Sequence, residues 1–229
     1  MTAVSVFKAD PIDFLEKNIV MQEVGGTAVK GSTGTFTLKE VTSKSGVLFD
    51  KTSTCKVYQM VQGTGSDTFT AYWCPYEDEK AMSVTLSDKA DLMFTANMTG
   101  CSFGVGIKGS DGSVRVAHAN VQESSELQQI GEAMYSAFDP KLKGPSKEMA
   151  FLEAKKYCIK EGQQGALLSG PTGVGGTVTS SINPGMYRGL TATTFGVRDG
   201  TSGWKFYFHT YERNGSNLRL FGVFPFPNQ

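Results

Sequence analysis

Apolar and polar residues alternate along much of this chain, the two-residue period of strands. Thr35–Val41, Thr54–Val61 and Asp67–Trp73 carry it early, set apart by Gly, Ser, Thr and Asp turns. Before them, Asp10 as an N-cap, Pro11 at the first helical position, and Ile12, Leu15 and Ile19 on one face predict a helix. Ser87–Phe94 leads into Thr95–Cys101, and Ser102–Ile107 with Ser113–Ala119 predict a hairpin about Gly109–Gly112. The period then lengthens. Leu127, Ile130, Met134 and Phe138 predict a helix from Ser124 to Asp139-Pro140, and Met149, Leu152 and Ile159 a second from Pro145 to Gly162. Gly170–Gly176 reads as a glycine-rich loop. Trp204, Phe206 and Phe208 alternate with Lys205, Tyr207 and His209, and Asn214-Gly215 marks a hairpin before Leu218–Phe224. There is no internal repeat and no dividing linker. The expectation is α+β: a single domain over residues 1–229, a mixed β-sandwich or sheet flanked by helices.

Composition narrows the function more than the fold. Hydrophobic residues at 39%, with 11% aromatic, are enough for a packed core and exclude a disordered chain. Lys+Arg and Asp+Glu both total 22, so no basic excess points to nucleic acid or an anionic membrane. Met1–Val20 lacks the basic start and apolar run of a secretory signal, and no stretch approaches the ~18 apolar residues of a membrane span. Cys55, Cys74, Cys101 and Cys158 are widely spaced, with no CxxC pair, so neither a metal nor a cofactor is expected. Free thiols in a reducing compartment are expected, and export, if any, by a route that reads no Sec signal.

With 2 His and 4 Cys in the chain, few Cys–His pairs are possible. A cysteine becomes a nucleophile at neutral pH only with a partner that takes its proton. Cys101 follows a Gly turn, and His118 lies on the strand expected beside it. A turn through the four residues Gly109–Gly112 makes Lys108 face Ser113, Phe103 face His118, and Cys101 face Asn120. Cys101 and His118 then become diagonal neighbours on one face, whereas a three- or five-residue turn separates them. Thr95, six residues before the cysteine, is placed to bind the far nitrogen of the imidazole, giving a Cys–His–Thr set. Backbone amides at Gly100 and Cys101 are the candidate oxyanion hole. A buried structural Cys101 and a satisfied strand His118 remain the plain alternative.

The run Phe94-Thr95 through Thr99-Gly100-Cys101 resembles the Thr-containing, [Ser/Thr]-Gly-Cys nucleophile motif of a family of protein-glutamine deamidases. That family includes the Burkholderia lethal factor, the catalytic domain of the cytotoxic necrotizing factors, and the chemoreceptor deamidase CheD. The lethal factor is the nearest resemblance, with a Trp–Pro aromatic cluster (here Tyr72-Trp73-Cys74-Pro75-Tyr76) before the motif. His118 follows Cys101 at a spacing associated with CheD. The match covers residues 67–120. It implies a helix-flanked β-sandwich with Cys101, His118 and Thr95 in a surface pit. It implies a monomeric toxin delivered from a bacterial cytoplasm into a host cell, converting glutamine to glutamate on a protein such as a translation-initiation RNA helicase. A CheD-like intracellular deamidase, another thiol chemistry, or a binding module retaining the motif are the competing readings.

Other signals are set aside. Gly104–Gly109 matches GxGxxG but opens no helix, and Gly170–Gly176 lacks the Gly-Lys-[Ser/Thr] of a phosphate loop. Asn97-Met98-Thr99 and Asn214-Gly215-Ser216 match a glycosylation sequon without a signal that delivers the chain to that machinery. His209 is expected to be exposed, Tyr72–Tyr76 to be core with lining of the approach to Cys101 as the alternative, and Cys55, Cys74 and Cys158 to be structural.

Overall fold

The computed structural model describes residues 1–22, 33–49, 52–78, 80–99, 101–120, 150–152, 191–200 and 203–226. Two short helices open the chain, α1 (Ala3–Ala9) and α2 (Pro11–Lys17). Thr2 caps the first, accepting from the Ser5 amide at 3.1 Å, and Asp10 caps the second, accepting from the Asp13 amide at 3.0 Å. The expected helix therefore exists but ends early. Asn18 is extended, and Ile19 starts a strand instead of completing the helical face.

The described strands are β1 (Ile19–Met21), β2 (Thr33–Glu40), β3 (Ser45–Leu48), β4 (Thr54–Cys55), β5 (Val57–Gln62), β6 (Phe69–Cys74) and β7 (Lys80–Leu86). They continue as β8 (Leu92–Thr95), β9 (Ser102–Lys108), β10 (Val114–Asn120), β11 (Ala150–Leu152), β12 (Thr191–Asp199), β13 (Gly203–Asn214) and β14 (Asn217–Pro225). Ten form one sheet in the order β1-β5-β2-β6-β8-β12-β13-β14-β3-β4, and four form a second in the order β11-β9-β10-β7. The large sheet ends on β4 at one side and on β1, paired with β5, at the other; β4 and β5 are one run of chain broken only at Lys56, so the two sides abut. The sheet curls into a nearly closed barrel, which leaves few unpaired edges.

The α+β expectation of a helix-flanked sandwich is thus wrong. Strands dominate, and only two short helices occur among the described residues. The helix expected over 124–140 lies outside the described residues, as does Gly170–Gly176. Within the span expected as a second helix, Ala150–Leu152 is a strand pairing antiparallel with β9.

Two apolar layers organise the molecule, and β6 shows how. Phe69, Ala71 and Trp73 point into the barrel with Phe36, Met60, Phe94 and Phe195, where Phe7, Phe14 and Leu15 of the helices plug it. Tyr72 and Cys74 point outward and pack with Met93, Phe206, Phe208, Phe224 and Phe226 against Phe103, Val105, Val114 and Val116 of the small sheet. This strand is covered on both faces, so Tyr72-Trp73-Cys74 is core as expected.

Candidate active site

The expected catalytic residues come from both sheets: Thr95 and His118 meet between them, and Cys101 borders the same layer. Thr95 ends β8, where alternation after Phe94, which faces the barrel interior, turns its side chain outward. His118 lies on β10 in line with Val114 and Val116, facing the same layer. Phe103 pairs directly with His118, as the sequence predicts, and Ser102 pairs with Ala119. Extending that register by one residue sets Cys101 diagonal to His118, a separation of roughly 7–8 Å between backbones. Cys101 is half-buried against the inter-sheet cluster, on the same side as Phe103.

The hairpin reaches this register by an unexpected route. Lys108 pairs with Val114, not Ser113, leaving a five-residue loop closed by the Gly109 amide donating to the Ser113 carbonyl at 2.7 Å. A β-bulge between Val114 and Val116 then absorbs one residue of β9 and restores the face. Gly112 sits at φ 80, which suits glycine at this turn.

Thr95 fixes the imidazole. Its hydroxyl donates to the Cys74 carbonyl at 3.0 Å and lies 2.7 Å from His118 Nδ1. A hydroxyl has one proton, so with that proton on the carbonyl, Thr95 accepts from Nδ1–H. The opposite ring nitrogen, Nε2, then carries a bare lone pair, and it has no hydrogen-bond partner. That is the protonation state a general base needs.

The second histidine shows the contrast. His209 is fully buried on β13, not exposed as expected, because its strand is covered on both faces. Its Nε2 faces the Asn18 carbonyl at 3.2 Å, which can only accept, so Nε2 carries the proton. Nδ1 accepts from Thr193 Oγ1 at 3.1 Å. Both nitrogens are used, and His209 is a satisfied core residue.

Burial sets the charges. It pushes the Cys101 thiol up to about 11, with the Asp78 carboxylate adding in the same direction and the backbone amides of Thr99 and Cys101 opposing. It pushes His118 down to about 3. The pair at rest is therefore neutral thiol and neutral imidazole, not a thiolate–imidazolium ion pair. His118 is 1% exposed, and Tyr76 lies edge-on to its ring with centroids 5.1 Å apart. Tyr76 itself is 39% exposed and donates to Asp78 Oδ1 at 2.5 Å. Tyr76 thus covers the imidazole edge, while Cys101 stays half-buried.

No described protein family matches the sequence, and no curated protein does. One similar solved structure is the C-terminal domain of CNFy from Yersinia pseudotuberculosis, at 12% identity and a TM-score of 0.38. The alignment covers 84% of this chain and 71% of that one. At that level the similarity carries no residue assignment.

Gly100 lies outside the described residues, as does Cys158. The approach to the motif is pinned: Met98 exchanges both backbone hydrogen bonds with Ala192, at 2.7 and 2.9 Å, and Asn97 Oδ1 accepts from the Gln22 amide at 2.9 Å. Cys74 and Cys55 are free thiols, pushed by burial up to about 12 and about 11. Among the described residues no group of three His, Cys, Asp or Glu side chains is placed to hold a metal ion. Asp78 was missed as a site residue, and Tyr76, taken with Tyr72–Tyr76 as core and only alternatively as lining the approach to Cys101, is instead 39% exposed beside His118. Their place in the loop after the Trp-Cys-Pro run was visible, but nothing in sequence tied that loop to His118.

Proposed function

We propose that this chain is a cysteine-dependent amidohydrolase that deamidates a glutamine side chain on a partner protein, without metal or organic cofactor. One observation carries the reading. A histidine whose tautomer is fixed by Thr95 keeps an unshared lone pair on Nε2, one diagonal step from Cys101. As substrate displaces water and Tyr76 moves aside, the Cys101 S–H proton passes to His118 Nε2. The sulfur forms a bond to the side-chain amide carbon. Negative charge gathers on the amide oxygen, which backbone amides around Cys101 would stabilise. The C–N bond breaks, ammonia leaves with the proton from His118, and water attacks the thioester. Glutamate and the free thiol result.

The experiment is incubation with a host-cell lysate and mapping of glutamine-to-glutamate conversion, a gain of about one dalton per site. Cys101→Ser, folded by circular dichroism, should lose all conversion. Persistence of conversion in that variant removes the reading. A translation-initiation RNA helicase is the first purified target to try, because the motif resembles that of the lethal factor.

A second reading, a binding module without turnover, is favoured by the high thiol pKa and the burial of His118. It requires Cys101 to react with iodoacetamide at neutral pH no faster than a buried thiol such as Cys74.

A further inference from the structure

The layer between the sheets is mostly aromatic, and two buried threonines of the large sheet interrupt it. Phe94 pairs with Phe195 and Met98 with Ala192, so Thr193 and Thr194 of β12 stand opposite Thr95, Ala96 and Asn97. Phe195 belongs to the barrel interior and Ala192 to the inter-sheet cluster, so alternation turns Thr194 to the inter-sheet side. Continuing the register sets it across from Thr95. Thr210 of β13 pairs with Ala192 and, two residues after Phe208, faces the same way. Thr194 is 0% and Thr210 2% exposed, and neither hydroxyl has a hydrogen-bond partner. His118 Nε2, held by Thr95, and Trp204 Nε1, farther along β13, are the other orphans in this layer. Buried polar groups are paired in the great majority of cases, so the two threonine hydroxyls next to the Thr95–His118 pair mark a place where a polar ligand belongs.

We propose that Thr194 and Thr210 form a seat for the primary carboxamide that Cys101 attacks, and this rests on the amidohydrolase reading above. A hydroxyl both donates and accepts, matching a carboxamide that offers one C=O and one NH2. Thr194 donates to the amide oxygen, and Thr210 accepts from the amide nitrogen. The product carboxylate carries a charge into an uncharged layer, so the seat favours substrate over product. These are substrate-positioning residues: His118, oriented by Thr95, moves the proton, and the two threonines choose which functional group arrives.

The probe is 2-chloroacetamide, an alkylating agent that carries a primary carboxamide, compared with N-ethylmaleimide, which has none. Labelling of Cys101 is followed by peptide mass spectrometry. In the wild type, chloroacetamide should label with saturation, and Thr194→Val should abolish saturation and lower the chloroacetamide-to-maleimide rate ratio roughly tenfold. Thr194→Ser should restore the ratio. Because the hydroxyl is unpaired, valine should also leave the urea midpoint unchanged or raise it, which a structural hydroxyl would not do. A ratio within about twofold of wild type in Thr194→Val overturns the seat. His118→Gln separates the two readings. If it slows both reagents while Thr194→Val leaves the ratio intact, the seat alone falls; if it changes neither rate, the Cys–His reading falls and the seat with it.

Discussion

Replacing Thr95 by valine keeps the shape of the side chain and deletes one hydroxyl. In the structure that hydroxyl serves two buried partners, the Cys74 carbonyl at 3.0 Å and His118 Nδ1 at 2.7 Å. Valine leaves both unpaired in a site where Thr95 is 0% exposed. At about 1–3 kcal/mol for each buried group left unpaired, the fold should lose roughly 2–6 kcal/mol. The kinetic consequence is separate. With nothing to hold Nδ1–H, the ring is free to turn or to move its proton to Nε2, where it no longer accepts. Forcing a triad histidine into the wrong tautomer has cost on the order of 10⁴ in rate elsewhere, so at least a tenfold loss is expected here. Thr193→Val is the matched control: the same substitution in the same sheet, beside a buried His209, equally 0% exposed. It strands one acceptor, costs about 1–3 kcal/mol, and should leave Cys101 untouched. The assay pairs urea midpoints with the iodoacetamide rate at Cys101 between pH 5 and 9. Equal slowing by both variants, or no slowing by Thr95→Val, refutes the link between tautomer and thiol.

Two further outcomes follow from the charges. Asp78→Asn removes an anion that helps raise the Cys101 thiol while keeping the oxygen that Tyr76 binds, so the midpoint of the alkylation–pH profile should move down. Added salt should have a smaller effect in the same direction, and an unmoved or rising midpoint counts against Asp78 facing the thiol. The two histidines also make the fold acid-sensitive. Both are held below the unfolded value of 6.5, His118 at about 3 and His209 at about 4, so their contribution is complete above pH 6.5 and is lost as pH falls through that window. By pH 4 each withdraws about 3 kcal/mol, at roughly 1.4 kcal/mol per pH unit, a large part of a domain's total stability. A urea midpoint that stays flat from pH 7 to 4 contradicts their neutral burial.

Local signals in this sequence were legible where they depended on neighbouring residues. Asp10 and Pro11 marked the start of α2, and the alternation of Trp204–Phe208 marked β13. The turn before β14 is one residue later than Asn214-Gly215, with Asn214 pairing Asn217 and Gly215 at φ 62. The barrel was not legible. Its closure rests on parallel pairings between distant segments, β1 with β5, β6 with β8 and β14 with β3, which no periodicity encodes. His209 was misread for the same reason. Alternation exposes every second residue only when one face of a sheet is wet, and here Phe206 and Phe208 meet the small sheet while Tyr207 and His209 meet the interior.

The site was legible for a less direct reason. Cys101 and His118 share a face only if loop and bulge agree in parity, and the five-residue loop alone would have separated them. The bulge corrects it by one residue, an irregularity that costs a ladder hydrogen bond and is found where a side chain must be re-aimed. The same economy explains the two Thr–His pairs. Each buries an imidazole beside a threonine, on the paired strand for His209 and on the facing sheet for His118, and the difference lies in one extra acceptor. Asn18 offers its carbonyl to His209 and uses up the ring, whereas the Cys74 carbonyl takes the threonine's proton and leaves His118 Nε2 unshared. A core histidine becomes a candidate base through the placement of a single backbone oxygen. That is why Thr95, and not burial alone, decides what His118 can do.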